Sequence, residues 1–518
     1  MHRWGEALVP GRLAVALFVA LAAMLASSAS AHAGTGSDCP PIQNKPGAIP
    51  QVSYDGVAHI TYCEGPITVH PGQNVIRLNA TDLLPQRPGY ITRFDPELVY
   101  TDGTVPRVDV LHLHHAVWVV NGNPQFAVGE EKTIVQAPRG FGWRTEPTDR
   151  WFLNDMLHDL VGREARVYIV WRIDFVPDTA PAAAHMRTVR TRWMDVSGPS
   201  PRVGISSPIY PVFNALRRYG TGGKYTFPDD AKGAQRELIG PNQTWTPDHP
   251  VTLLGTAGHL HPGGLNTRLR VRRGDRTNAL FTSKAHYYEP AGAVSWDVAM
   301  GATPRNWRVK LRPGDELSVH ATYDTSRANW YEVMGIMPVM VYDGDDVGGV
   351  DAFSSKIPKT NVLTHAHLAE NRHHGGGSTS AYRDPLELPD GPFATKPVDI
   401  RGYFYSQGDL AAGIGAAGRP PTIHPGQSIT FRNLDDARST WHTITSCKAP
   451  CDRDTGIAYP IANGAKTFDS GQLGTNAPFG APASGSITWQ TPKGLEPGTY
   501  TYFCRVHPFM RGSFRVKR

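Results

Sequence analysis

Cys504, His507 and Met510 stand three residues apart on one stretch, Tyr500-Thr-Tyr-Phe-Cys-Arg-Val-His-Pro-Phe-Met510. A thiolate, an imidazole and a thioether on a loop leaving a strand need one more imidazole to complete the donor set of a blue-copper electron-transfer site. His442, in Trp441-His-Thr-Ile-Thr445, offers it. A tight loop then fixes three of the four ligands around an ion that must change charge without changing geometry. The plainer reading, a buried free cysteine beside a surface histidine, leaves four matching ligands in the right order unexplained.

Two further histidine groups lie upstream. His112, His114 and His115 fall within the apolar segment Leu111-His-Leu-His-His-Ala-Val-Trp-Val-Val120, and His158 follows after about forty residues. Successive strand residues point to opposite faces, so His114 and His115 reach one ion together only if a bulge or strand end re-aims one of them. His259 and His261, in Gly258-His-Leu-His-Pro-Gly-Gly264, have the spacing that puts two imidazoles on one face. Met334 can add a sulfur from Tyr331-Glu-Val-Met-Gly-Ile-Met337. Either group alone reads equally well as core histidines.

The tail resembles the cupredoxins, and among them the amicyanins, whose loop also reads Cys-x-x-His-Pro-Phe-Met; the likeness covers about the last quarter of the chain. Upstream, the order His-His, lone His, His-x-His, Met resembles the copper type II monooxygenases, the family of peptidylglycine α-hydroxylating and dopamine β-monooxygenases. Pro138-x-Gly-x-Gly-x-Arg144 before His158, Arg270-Val-Arg272 after His261 and Gly314-Asp315 before Met334 agree with it. That likeness spans roughly residues 50–345.

The resemblance implies two sandwich domains, each holding one mononuclear type 2-like copper, that face one another across a water-filled cleft. His114, His115 and His158 would form an electron-supplying site. His259, His261 and Met334 would form the catalytic site, where a soft thioether favours Cu(I) and leaves a position open for O2. The expected reaction is O2-dependent hydroxylation of a C–H bond. His112 is an extra imidazole that either supports a neighbour or replaces one. Where the peptide-amidating enzymes hold a substrate carboxylate with Arg and Asn, this chain has Ala257 and Ile336, which cannot pair with one. A C-terminal glycine peptide is therefore a poor substrate, and the substrate, small molecule or peptide, stays open.

These sites need β-structure to position them. Abundant glycine (53) and proline (44), with short alternating segments such as residues 165–175 and 317–323, point to an all-β chain. The expected architecture is two consecutive jelly-roll-like β-sandwich copper domains, 34–200 and 201–350, a His-rich linker, 351–395, and a cupredoxin Greek-key β-sandwich, 396–518. The linker carries His365, His367, His373 and His374, read as solvated histidines that bind copper only loosely. It would tether the third domain as an electron donor at high effective concentration. Electrons would pass from an external donor through the Cys504 copper to the His114/His115/His158 copper, with His507, Pro508 and Phe509 as the surface port.

Residues 1–33 read as a secretory signal: Arg3 and Arg12 precede the apolar run 13–25, and Ala31-His-Ala33 precedes Gly34. The run is too short for a stable membrane span. Export suits the cysteines, of which Cys39 with Cys63 and Cys447 with Cys451 are locally compatible pairs, other connectivities remaining open. A net charge of +6, with no basic run interleaved with aromatics, gives no support to nucleic-acid binding. A multicopper oxidase is excluded, because Phe503 and Arg505 flank the copper cysteine where its trinuclear cluster needs histidines. A nitrite reductase-like copper enzyme and a non-catalytic copper-binding or electron-transfer protein are the rival readings.

Overall fold

The computed structural model describes residues 33–518 apart from 43–50, 71–73, 109, 160–162, 199–211, 289–296, 327–328, 368–381, 412–417, 439, 448–466, 476–484, 506 and 508. The expected signal, residues 1–33, therefore lies outside the described residues save for Ala33. Ala33–Thr35 pairs with Tyr62–Glu64 of the Ala58–Val69 strand. The chain is all-β, as its composition indicates. No helix among the described residues is long and apolar enough to cross a membrane.

The first sandwich packs two sheets over an aromatic core. One face of the long strand Ala165–Pro177 buries Val167, Ile169, Trp171, Ile173 and Phe175, the period-2 pattern of a strand with one face on a core. Opposite lies a four-stranded sheet in the order Asn74–Thr81, Trp151–Asp159, Leu111–Val120, Asn123–Gly129. Trp118 from this sheet meets Trp171 with ring centroids 5.3 Å apart, which fixes the layer spacing. The outer face of the same sheet carries the histidines.

The second sandwich shares a sheet with the first. Arg187–Arg192 pairs parallel with Phe141–Thr145 of the first unit and antiparallel with Val339–Tyr342 of the second. The result is an eleven-stranded sheet that continues through Val251–Thr256 and Val309–Leu311. A seven-stranded sheet built around Gly264–Arg273 and Glu316–Asp324 closes the second core on Trp307, Phe281 and Tyr323. The expected boundary at residue 200 falls in the stretch 199–211, outside the described residues. The crossing itself is made earlier, by residues 187–192.

The third sandwich has two four-stranded sheets. Val398–Arg401 runs parallel to Thr430–Asn433, and Thr422–Ile423 runs parallel to Arg511–Val516. These parallel pairs need chain crossovers between the sheets, unlike hairpins. The core holds Phe431, Tyr502 and Phe514 together with Cys504 and Met510.

Much of the expected linker is part of the folded units. Val362–Leu363 adds a strand to Val298–Ala302, and the buried His365 places Nε2 3.2 Å from the Val298 carbonyl. His367 Nδ1 lies 2.8 Å from an Asp297 carboxylate oxygen. Farther on, Arg515 donates to the carbonyls of Pro385 and Leu388, both at 2.6 Å. His373 and His374 lie outside the described residues. Cys39 and Cys63 form a disulfide with Cα atoms 5.6 Å apart, and Cys504 is free and buried. Cys447 is disulfide-bonded; its expected partner, Cys451, lies outside the described residues.

Candidate metal centres

In the third domain, Cys504 follows the strand Gly498–Phe503, and the loop closes on itself. The Cys504 amide donates to the Met510 carbonyl (3.1 Å) and the Met510 amide to the His507 carbonyl (2.9 Å). Met510 is thereby buried beside Cys504. His442 enters from the segment before Thr445–Cys447. Its Nδ1 lies 3.8 Å from Cys504 Sγ and 3.1 Å from His507 Nδ1, and His507 Nδ1 lies 3.6 Å from the sulfur.

These three donors surround one point. The far nitrogen of His442 is 3.2 Å from Asp435 Oδ2, and Asp435 in turn accepts the Gly402 and Tyr403 amides. A carboxylate behind an imidazole is the device that aims a ligating histidine. Burial pushes the Cys504 thiol up, but the hydrogen bond and charge of His442 and the Thr443 amide outweigh it and hold the thiol below its ordinary range. A low thiol pKa gives the thiolate that a soft metal needs. The donor set fits copper: two imidazole nitrogens, a thiolate, and a buried thioether alongside.

His507 is not a surface port. Its side chain is only 2% exposed and lies under the Tyr403 ring, with centroids 4.9 Å apart. Pro508 lies outside the described residues.

The second centre sits on the outer face of the histidine sheet. His112 pairs across to His158, and a register shift between Leu113 and His115 makes His114 the bulged residue. A bulge places two adjacent residues opposite one partner and bends the strand. His112, His114 and His158 each bring a ligand atom to one spot, all within 4.8 Å of one another.

His115 does not join this group. It turns along the face so that its Nε2 meets Asn154 Oδ1 at 3.1 Å, and it lines a separate cavity. The expected trio His114, His115 and His158 is thus replaced by His112, His114 and His158. His112 is set by its Nδ1–H, which donates to the Val108 carbonyl at 2.7 Å. Burial first, then the mutual repulsion of the rings, holds His112 and His114 well below the ordinary imidazole range. Neutral imidazoles are the ligating form.

The third group belongs to the second domain. His259 and Leu260 pair with Ile336 and Gly335, which sets Met334 at the same end of the ladder as His261. Tyr323 ties the two: its hydroxyl accepts the His261 amide (3.2 Å) and donates to the Met334 carbonyl (2.5 Å). His259 donates through Nδ1 to Glu131 (2.9 Å), and His261 through Nδ1 to the Glu332 carbonyl (2.8 Å).

Both Nε2 atoms are buried without a hydrogen-bond partner, and the rings stand 5.3 Å apart at 84°. Orphaned buried nitrogens are costly, and two of them, each backed by an acceptor on the opposite nitrogen, match what a metal requires. Burial alone would lower His259, but Glu131, Glu130 and Asp195 raise it to about 9.

Glu130 and Glu131 escape the sequence reading. They end the Asn123–Gly129 strand as two adjacent acids, which in a sequence look like an ordinary solvated turn. Both are buried. Glu130 Oε1 lies 2.8 Å from His114 Nδ1 and 3.5 Å from His112 Nε2, while Glu131 holds His259. Glu130, Glu131 and His259 bring their own donor atoms within 4.8 Å of one another. Gly129 makes room for this approach, since a Cβ there would sit 2.5 Å from His259 Cε1.

The two groups are also not separated by an open cleft, because the His114 and His261 rings are 4.3 Å apart.

The third domain docks beside these groups. Trp441, next to His442, donates Nε1–H to Glu332 Oε1 at 2.7 Å, and Glu332 is the residue whose carbonyl holds His261. Asn214 fixes Glu332 by accepting its amide (3.1 Å) and itself donates to Gln472 of the third domain (3.2 Å). Glu332 adopts φ +51, a conformation sparsely used by residues other than glycine and concentrated at functional sites. His158 is near enough for its charge to depress His507, after burial and His442.

No protein-family model and no curated protein matches this chain. Among solved structures, a Cu(I) form of an amicyanin mutant is 20% identical over 27% of this chain and 94% of that one, with a TM-score of 0.13. A copper-containing nitrite reductase from Thermus scotoductus is 12% identical over 51% of this chain and 55% of that one, with a TM-score of 0.15. Oxalate decarboxylase from Bacillus subtilis is 8% identical over 62% and 79%, with a TM-score of 0.11. Superpositions this loose assign no activity.

Proposed function

We propose that this chain is a copper-dependent oxidoreductase that hydroxylates a C–H bond with O2, supplied with electrons through its third domain. The observation that carries this reading is the continuous connection His442–Trp441–Glu332–His261. It joins the thiolate site to the second-domain histidines by covalent bonds and two hydrogen bonds. Such a link has no use in a protein that only stores metal.

The balance is that of a monooxygenase. A C–H bond breaks and a C–O bond forms, the other oxygen atom leaves as water, and an external donor supplies two electrons with two protons from solvent. Copper held by His442, Cys504, His507 and Met510 would supply one-electron exchange, and copper held by His112, His114 and His158 and by His259, His261 and Met334 would supply oxygen chemistry.

The chain's own residues set the conditions. Asp435, Glu131 and the Glu332 carbonyl each hold one ring nitrogen of a histidine and so aim the other. Glu130 sets a carboxyl oxygen 2.8 Å from His114 Nδ1. Trp441 is itself buried, and Glu332 beside it is half-buried.

The relay expected from the first-domain trio gains a second entry here, at His261. Trp441→Phe keeps the ring and removes the bond to Glu332. In the copper-loaded chain it should leave the blue absorption unchanged while slowing its bleaching-and-recovery cycle with O2 severalfold in stopped-flow. An unchanged recovery rate removes the Trp441–Glu332 path. Three coppers per chain, one of them intensely blue, together with O2 uptake coupled to a hydroxylated product, test the reading as a whole. Copper binding without product formation would reduce it to an electron-transfer or storage protein.

A further inference from the structure

Between the first and second sandwiches lies a cavity of about 120 Å3 that none of the three metal groups fills. His115, Glu131, His259 and Met334 form one end of it. The walls are mainly apolar, with Val117, Trp193, Ala257 and Ile336, interspersed with threonines and Gln136. His115, displaced from the ligand set, is held there by Asn154.

The chargeable side chains at the wall are His115, which Asn154 holds, His259 and Glu131, which pair with each other, and Arg305, which is solvent-exposed. Glu131 offsets any charge on His259, and among the described residues the lining holds no buried lysine or arginine to pair with a carboxylate or phosphate. A charged or peptide-like guest would lose its hydration without compensation. A closely comparable space, a dry apolar cavity of about 150 Å3, takes up benzene or xenon.

We propose that this cavity binds a compact, uncharged, predominantly apolar molecule, no larger than a single six-membered ring, with its C–H bonds turned toward His259 and Met334. That the guest is the molecule hydroxylated rests on the oxidoreductase reading above; that the cavity binds it does not. Met334 and the unpartnered Nε2 of His259 then have a purpose in common, since both belong to the group where the oxygen chemistry was placed.

The experiment uses the full chain, copper-free and copper-loaded, with benzene followed by tryptophan fluorescence and xenon by 129Xe NMR. Saturable binding of one benzene per chain is expected in both forms, with benzoate binding far more weakly. Ala257→Leu should weaken benzene binding by about tenfold, the range for crowding a packed site. Because an overfilled variant can fail to fold, Ile336→Ala is the companion: it enlarges the cavity and should shift preference from benzene toward naphthalene.

Absence of saturable binding in the folded chain overturns the proposal. Equal affinity for benzoate overturns it too, and so does an Ile336→Ala variant with unchanged ring-size preference. Benzene that binds as expected but is never hydroxylated leaves the cavity standing and counts against the monooxygenase reading alone.

Discussion

Cys504→Ser is expected to abolish the intense visible absorption of the copper-loaded chain and to lower its copper content by one ion. It should also reduce turnover with a protein electron donor by at least about a hundredfold. The reason lies in the donor set. Cys504 is the one anionic soft ligand among His442, His507 and Met510, and the colour of a blue-copper site depends on its thiolate.

Serine keeps the size and the Thr443 amide contact but offers a hydroxyl that stays protonated. Two imidazoles whose Nδ1 atoms face each other at 3.1 Å then lack the charge that balances an ion between them. The fold should survive, because the loop is closed by backbone bonds between Cys504, His507 and Met510 that serine preserves. Far-ultraviolet circular dichroism checks that point. Full turnover of the colourless variant with a protein donor would show that electrons do not enter through the third domain.

The second large effect separates His112 from His115. His112→Ala should cost one bound copper and all measurable hydroxylation, and His158→Ala should do the same. His115→Ala should retain the full copper complement and fail, if anywhere, in substrate affinity, because its ring faces the cavity and Asn154. The contrast is read by metal analysis and electron paramagnetic resonance, without reliance on activity. Copper loss in His115→Ala with none in His112→Ala would restore the trio that the family resemblance implies and discard the grouping seen here.

The difference between those trios shows where sequence reasoning stops. Cys504, His507 and Met510 are legible because seven residues contain three ligand types, so local spacing alone dictates convergence. The all-β character is legible for a similar reason, since period-2 burial in segments such as 165–175 needs no tertiary information. The bulge at His114 is different. It depends on how Leu111–Val120 registers against Trp151–Asp159, a pairing forty residues distant.

Glu130 and Glu131 were invisible for a related reason. Adjacent acids after a strand look solvated until a second domain folds over them. Likewise, the burial of His507 under Tyr403 and the pairing of Val362–Leu363 with Val298–Ala302 arise from contacts distant in sequence, which no local pattern encodes. The Trp441–Glu332 contact spans more than a hundred positions and carries no motif.

The strand Arg187–Arg192 stitches both sandwiches into one sheet, and this has a mechanical consequence. Two sandwiches that share a hydrogen-bonded plate have no hinge about which to open and close. The spacing of their metal-ligating groups is cast once, at folding. Two separately expressed halves cut near residue 186 would each expose a raw edge, and neither should persist as a soluble fragment.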